Sequence, residues 1–417
     1  MTSAAGTTPD VSPLVVRTVA VEDPGALLAL LPKDGALAWV RRGEGIVGWG
    51  NAVTVRPDGP DRFAQARAWW ADQTRQAVVR DEVEEPGTGL VCFGSFGFAD
   101  DPGDSMLVVP EVVVGRRGDT AWVTTIGAGA IGAPPVVTPT EPAEAPAGVV
   151  FADGARSGAE WELVVAEAVG RIQAGALEKV VLARDLLATA QNDIDVRWPL
   201  GRLAETYPMC WTFHVDGLFG ATPEMLVRRE RGLVTSRVLA GTIRRTGNDE
   251  RDLALAATLA RSSKDLEEHE YAVRSVAESL APHCTSMNVP ESPFVLHLPN
   301  VMHLATDVAG VAKDAATSLE LAQALHPSAA VGGTPTEVAT ALIGEIEGMD
   351  RGRYAGPVGW MDGAGDGEWG IALRSAEVDG RTVRLFAGCG IVASSDPASE
   401  LAEAQAKFVP VRDAISG

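Results

Sequence analysis

The spacing of hydrophobic positions changes period repeatedly along this chain. From Ser157, SGAEWELVVAEAVGRIQAG places Trp161, Val164, Val165, Ala168 and Ile172 at helical spacing. Ser157 and Glu160 form a capping-box pattern at its start, and Gly175 supplies the stop. EKVVLARDLL then reads as a strand. WTFHVDGLFGATPEMLVRRERGLVTSRVLAGTIRR reads as a meander of strands broken at Asp-Gly and Arg-Gly turns. SSKDLEEHEYAVRSVAESL returns to helical spacing, with Ser262 and Asp265 at the cap and Leu266, Val273, Val276 and Leu280 on the core face. Two helices with Thr caps follow, TSLELAQAL and TPTEVATALIGEIEG, the second with Pro335 in its first turn. A second meander runs from YAGPVGW to AGCGIV, and SDPASELAEAQAKF closes the pattern as a helix.

Residues 1–130 hold short strands (ALAWV, GLVCFGSFGFA, SMLVVPEVVVGRRGDTAWVTTIG) and one helical stretch, RFAQARAWWADQTRQAV. Residues 131–153 are rich in Pro and Ala without helical or strand period, and read as a connector. Strands come in blocks joined by hairpins. That pattern predicts an α+β fold with large antiparallel sheets flanked by helices, not a doubly wound one.

Composition narrows the picture. The 417 residues are 46% hydrophobic, enough for a substantial core. A net charge of -21 argues against nucleic acid and anionic lipid as partners. No basic leader with an apolar core opens the chain, and no apolar run is long enough to span a bilayer. Cys92, Cys210, Cys284 and Cys389 lie far apart, as in a reduced protein, and the expected location is cytoplasmic.

Several Gly-rich signals fail. VGGTPTEV lacks the Lys-Ser/Thr ending of a phosphate loop, and DGAGDGEWG has Ala364 and Leu373 where a calcium loop needs ligands, so it reads as a hairpin turn. What remains is polar residues set against apolar faces. Lys179 opens the strand KVVLARD on the face of Val181; an edge lysine that snorkels would look the same. Glu224 directly precedes the apolar run MLV, where a turn carboxylate would also fit. Arg374 interrupts the alternation Ala372, Arg374, Ala376, Val378. Gly388 and Gly390 sit inside a strand, where glycine costs stability unless something approaches closely. In the last helix Glu400, Glu403 and Lys407 fall within roughly 60° of one another, bordering Leu401, Ala404 and Phe408. A solvated Glu403–Lys407 pair would explain that stripe.

Nine stretches, in order, carry a resemblance. EKVVLARD, FGATPEML, LAGTIRR, SSKDLEEHEYAV, NVMHLATDVAG, LHPSAAVGGTP, GRYAGPVGW, GDGEWGIALRSA and AGCGIVASSDPASELAEAQAKF are similar to chorismate-utilising enzymes, closest to the isochorismate synthases. The resemblance covers about residues 157–415. It implies a chorismate-binding catalytic region over 151–417, with 1–150 a divergent N-terminal part of the same α+β unit and the active site in a central cleft.

It also implies roles. Glu268 and Glu403, with Glu400 close by, would hold one Mg²⁺ that grips the ring carboxylate of chorismate. Lys407, Arg374, Tyr354 and the amides around Gly388 and Gly390 would receive the substrate's other groups, with Thr242 and His303 lining the site. Lys179 would take a proton from water as it adds at C2. Glu224 would protonate the departing C4 hydroxyl, which asks for a carboxyl held neutral by an apolar setting. A dianionic substrate on an acidic protein needs local positive charge, and a hard, oxygen-liganded Mg²⁺ provides it. The expected protein is thus an Mg²⁺-dependent isochorismate synthase, a monomer acting on a small molecule, whose product would feed menaquinone, siderophore or other biosynthesis. Lys179 and AAVGGTP set it apart from ammonia-using relatives. A salicylate synthase, which continues by eliminating pyruvate, and a non-catalytic chorismate-binding homologue are the alternatives. His326-Pro327-Ser328-Ala329-Ala330-Val331 departs from the usual H-P-T-P-A-V and bears on product partitioning.

Overall fold

A computed structural model describes residues 13–101, 104–129, 132–298, 301–313 and 316–416, without the side chains of Lys264 and Glu268. Two large sheets dominate it, of 13 and 10 strands among the described residues. Nearly all pairings are antiparallel; Leu14–Val21 with Val78–Asp81 is parallel. The fold is α+β, as the hairpin-linked pattern implies.

The N-terminal strands do not form sheets of their own. Leu37–Arg41 pairs with Trp211–Val215 in the larger sheet, and Val91–Ser95 pairs with Pro357–Asp362 in the smaller one. Trp39, Phe93, Trp161, Phe213 and Trp369 meet in one buried cluster that draws on both halves of the chain. Burial of such rings is the main driving term for closing the two sheets on each other.

The chain crosses between the sheets at two points that matter below. Leu218–Thr222 belongs to the larger sheet and Met225–Glu230 to the smaller. Gly367–Ile371 belongs to the smaller and Ser375–Asp379 to the larger.

Helix starts follow local chemistry. Ser157 and Glu160 make the reciprocal capping box at Gly158–Gln173, and Ser262 accepts from the Asp265 amide at Ser263–Leu280. Thr317 caps Ser318–Leu325 as expected. The second expected Thr cap does not form: Pro335 itself takes the N-cap position of Thr336–Ile346, with no side-chain cap bond. The connector also differs from expectation. Val150–Asp153 is a strand, paired with Leu186–Thr189 at the end of the larger sheet. It is largely exposed, so no apolar period marks it. Helices Arg197–Thr206 and Asp249–Leu259 were not evident from spacing either.

Candidate active site

The sequence-predicted residues converge on one cavity between the sheets, enclosing about 440 Å³. That is in the range of small-ligand pockets. Lys179, Glu224, Thr242, His303, Tyr354 and Arg374 all line it, as do Gly388, Gly390, Glu400, Glu403 and Lys407. Glu268 lies on helix Ser263–Leu280, but its side chain is outside the described residues.

Each side chain is aimed by a specific piece of backbone. Lys179 opens the strand Lys179–Thr189, which pairs along its length with Thr382–Val392. A Cβ on Gly390 would stand 2.8 Å from Lys179 Cε, so the glycine is the space the lysine side chain occupies. A Cβ on Gly388 would stand 2.8 Å from the Leu182 carbonyl. Both exceptions to strand composition therefore have a steric cause.

Glu224 sits at the first crossing between sheets and is buried. Burial pushes its carboxyl up to about 8, against the opposing pull of Lys179, Arg374 and Lys407. It is therefore mostly protonated at neutral pH.

Arg374 sits at the second crossing, and here the alternation argument was wrong. Arg374 is not in a strand; its backbone is left-handed, φ 49°, in the break between Ile371 and Ser375. That turn, not a two-residue period, points it into the cavity.

Thr242 and His303 form a cross-strand pair joined by a 2.9 Å Thr242 Oγ1–His303 Nδ1 hydrogen bond. The register shifts between Ala240 and Thr242, around Gly241 at φ 78°, a bulge that re-aims the threonine. Burial holds His303 down at about 3, so its ring is neutral, and among the described residues Nε2 has no hydrogen-bond partner. Tyr354 is buried and stacked on Phe386, ring centroids 5.1 Å apart.

The last helix, Pro397–Ile415, is capped by Asp396. Glu403 and Lys407 do form the i,i+4 pair, at 2.6 Å, but Lys407 is only half-buried and also donates to the Gly388 carbonyl at 2.8 Å. The pair is thus partly solvated, with the carboxylate the more exposed partner. The Glu400 and Glu403 carboxylates and the Cys389 sulfur lie within 4.8 Å of one another. Cys389 was not among the sequence candidates. Burial pushes its thiol up to about 12, so it stays protonated, and it donates to the Glu400 carbonyl at 3.4 Å. It backs the carboxylates; the hard oxygen donors are the ones suited to Mg²⁺.

A second concavity of about 460 Å³, walled by Trp39, Arg41, Arg116, Arg117, Trp122 and Trp211, holds none of these residues.

The sequence matches the family model described as "Chorismate binding enzyme" over residues 22–128 and 138–416. The chain belongs to that family. Among chorismate binding enzymes it is 37% identical over 262 residues to isochorismate synthase MenF of Bacillus subtilis, covering 62% of this chain and 56% of that protein. It is 42% identical over 256 residues to isochorismate synthase DhbC of the same organism, covering 58% and 64%. The aligned stretch is thus less than two thirds of either relative. A longer match, 34% over 410 residues, covers 91% of this chain and 84% of the salicylate biosynthesis isochorismate synthase of Pseudomonas aeruginosa. Among solved structures, the 2,3-dihydroxybenzoate-specific isochorismate synthase DhbC of Bacillus anthracis superposes with a TM-score of 0.78 at 32% identity, covering 94% of this chain and 99% of that one. Among the described residues, no helix is long and apolar enough to cross a membrane.

Proposed function

We propose that this protein isomerises chorismate to isochorismate. The observation that carries the reading is the pairing, in one cavity, of Lys179 with a Glu224 whose burial keeps it protonated near neutral pH. The names of its relatives in the family support the same reaction.

Lys179 takes a proton from water, and the oxygen bonds to C2 of the ring. The double bonds shift, the C4–O bond breaks, and Glu224 gives its proton to the departing hydroxyl, which leaves as water. Solvent exchange then restores the two side chains. Arg374 and Lys407 offer positive charge to the substrate's anionic groups, and neutral His303 offers Nε2. Glu268, Glu400 and Glu403 are the residues that would hold Mg²⁺. When bound, that ion supplies a positive counter-charge to the ring carboxylate.

The test is to incubate the protein with chorismate and Mg²⁺, chromatograph the products and assay pyruvate. A reversible chorismate–isochorismate mixture with little pyruvate is expected. Activity should vanish in excess EDTA and in Glu403→Gln. Stoichiometric salicylate and pyruvate would assign the salicylate-forming reaction instead, and binding without turnover would make the protein a non-catalytic homologue.

A further inference from the structure

The edge of the strand that carries Lys179 is completed by side chains where a neighbouring strand is missing. On the side away from Thr382–Val392, the two-residue strand Gly333–Thr334 pairs with Lys179 and Val180, and the Gly332 carbonyl accepts from the Val181 amide at 2.9 Å. The edge strand Val150–Asp153 does not begin pairing until Leu186. Between them the main chain of Val181 to Asp185 faces the interior, where unpaired groups are costly.

Glu347 and Arg351 fill the middle of that gap. Both are almost fully buried. Arg351 donates to the Val181 carbonyl at 2.8 Å, and Glu347 accepts from the Ala183 amide at 2.7 Å. The two also bind each other through both carboxylate oxygens, each at 2.7 Å. Trp161 Nε1 meets the Ala183 carbonyl at 2.9 Å, and the Gly154 amide meets that of Asp185 at 3.2 Å.

The same guanidinium reaches further. It donates to the Val331 carbonyl at 2.9 Å and lies 4.2 Å over the Phe98 ring, while the Arg351 carbonyl accepts from the Tyr354 amide at 3.0 Å. Val181, Val331 and Tyr354 are all cavity wall. The planar fork therefore ties the lysine strand to the loop opposite it, and the main chain of the same residue anchors the tyrosine turn.

A buried ion pair is a poor device for stability alone, because desolvation offsets most of its attraction and an apolar pair of equal volume often serves as well. Its geometry is what an apolar pair lacks. We propose that Glu347 and Arg351 are positioning residues for Lys179, acting as a side-chain substitute for the missing strand that fixes the amine's place in the cavity. The inference rests on the assignment of Lys179 as the base.

The test compares Arg351→Lys, which keeps the charge and loses the fork, with the apolar double variant Glu347→Leu/Arg351→Met. Turnover is measured per folded molecule, alongside the rate at which acetic anhydride labels Lys179, followed by mass spectrometry. In both variants kcat should fall roughly 10- to 100-fold, the scale of a misplaced reacting group, with KM for chorismate within about threefold. The rate of Lys179 labelling at fixed pH should change with it. The double variant should unfold near the wild-type midpoint, separating positioning from mere stability. Should the double variant fail to fold, Arg351→Lys decides alone. Wild-type kcat and unchanged labelling in Arg351→Lys would overturn the inference. A wild-type protein that makes no isochorismate would instead overturn the proposed reaction, and the labelling comparison would still report whether the pair positions the lysine.

Discussion

Glu224 carries a conflict between folding and chemistry. A carboxyl whose native pKa stands near 8 binds its proton more tightly folded than unfolded. The stability this contributes is complete below its ordinary value near 4.5 and is lost as pH rises toward about 8, at about 1.4 kcal/mol for each unit crossed. Glu224→Gln, which cannot ionise, should therefore unfold at higher urea than wild type at pH 8, with the gap closing toward pH 5. A gap independent of pH would remove the raised carboxyl. The same variant should lose isochorismate formation by 10² or more, and the wild-type rate should decline above about pH 8 as the acid is lost. Lys179→Ala should fall by a similar factor while still binding chorismate, measured by calorimetry. A kcat within a few-fold of wild type would mean another group activates the water. Little of this was legible residue by residue. Lys179, Glu224 and the stripe of Glu400, Glu403 and Lys407 could be seen as polar intrusions, but only the family resemblance gave them roles. Arg374 was noticed for the wrong reason, because a left-handed turn leaves no periodic trace. Cys389 was missed because a small, half-polar residue in AGCGIV looks like ordinary core.

At the level of elements, the sequence spoke clearly wherever a face is buried. The helix from Gly158 to Gln173 has an apolar period because it packs one side against the core, and the paired strands Lys179–Thr189 and Thr382–Val392 read as apolar runs because both their faces are buried through the middle. Val150–Asp153 was read as connector because its side chains are mostly exposed and nothing selects their polarity. Arg197–Thr206 contains Pro199 and Gly201, and Asp249–Leu259 opens with three acids and exposes Leu253, so both hide their helical character. The strand pairing behind the lysine makes a sharp prediction. Gly390→Ala puts a methyl where Lys179 Cε now lies, at 2.8 Å, so the flexible amine must move. The strand should persist by circular dichroism while kcat drops at least tenfold, because the displaced group is the proposed base. Unchanged kcat would show that the lysine has room to spare.

Across the whole molecule, the two sheets are each completed by strands from both halves of the chain, so the N-terminal region is structural material for the site even though it lends the cavity no predicted residue. Glu224 and Arg374 occupy the two links where the chain passes from one sheet to the other. Lys179 and Gly390, by contrast, belong to the larger sheet, and Thr242 and His303 to the smaller. The spacing of acid, base and anion-binding groups is therefore a direct readout of how the sheets sit on each other. The cavity behaves as a caliper. On heating, a slip between the layers too small to break any ladder already separates the groups that must act together. Activity, assayed at the elevated temperature itself, should fail several degrees below the loss of strand signal in far-ultraviolet dichroism. Coincident midpoints would mean that the layers come apart only when the strands do.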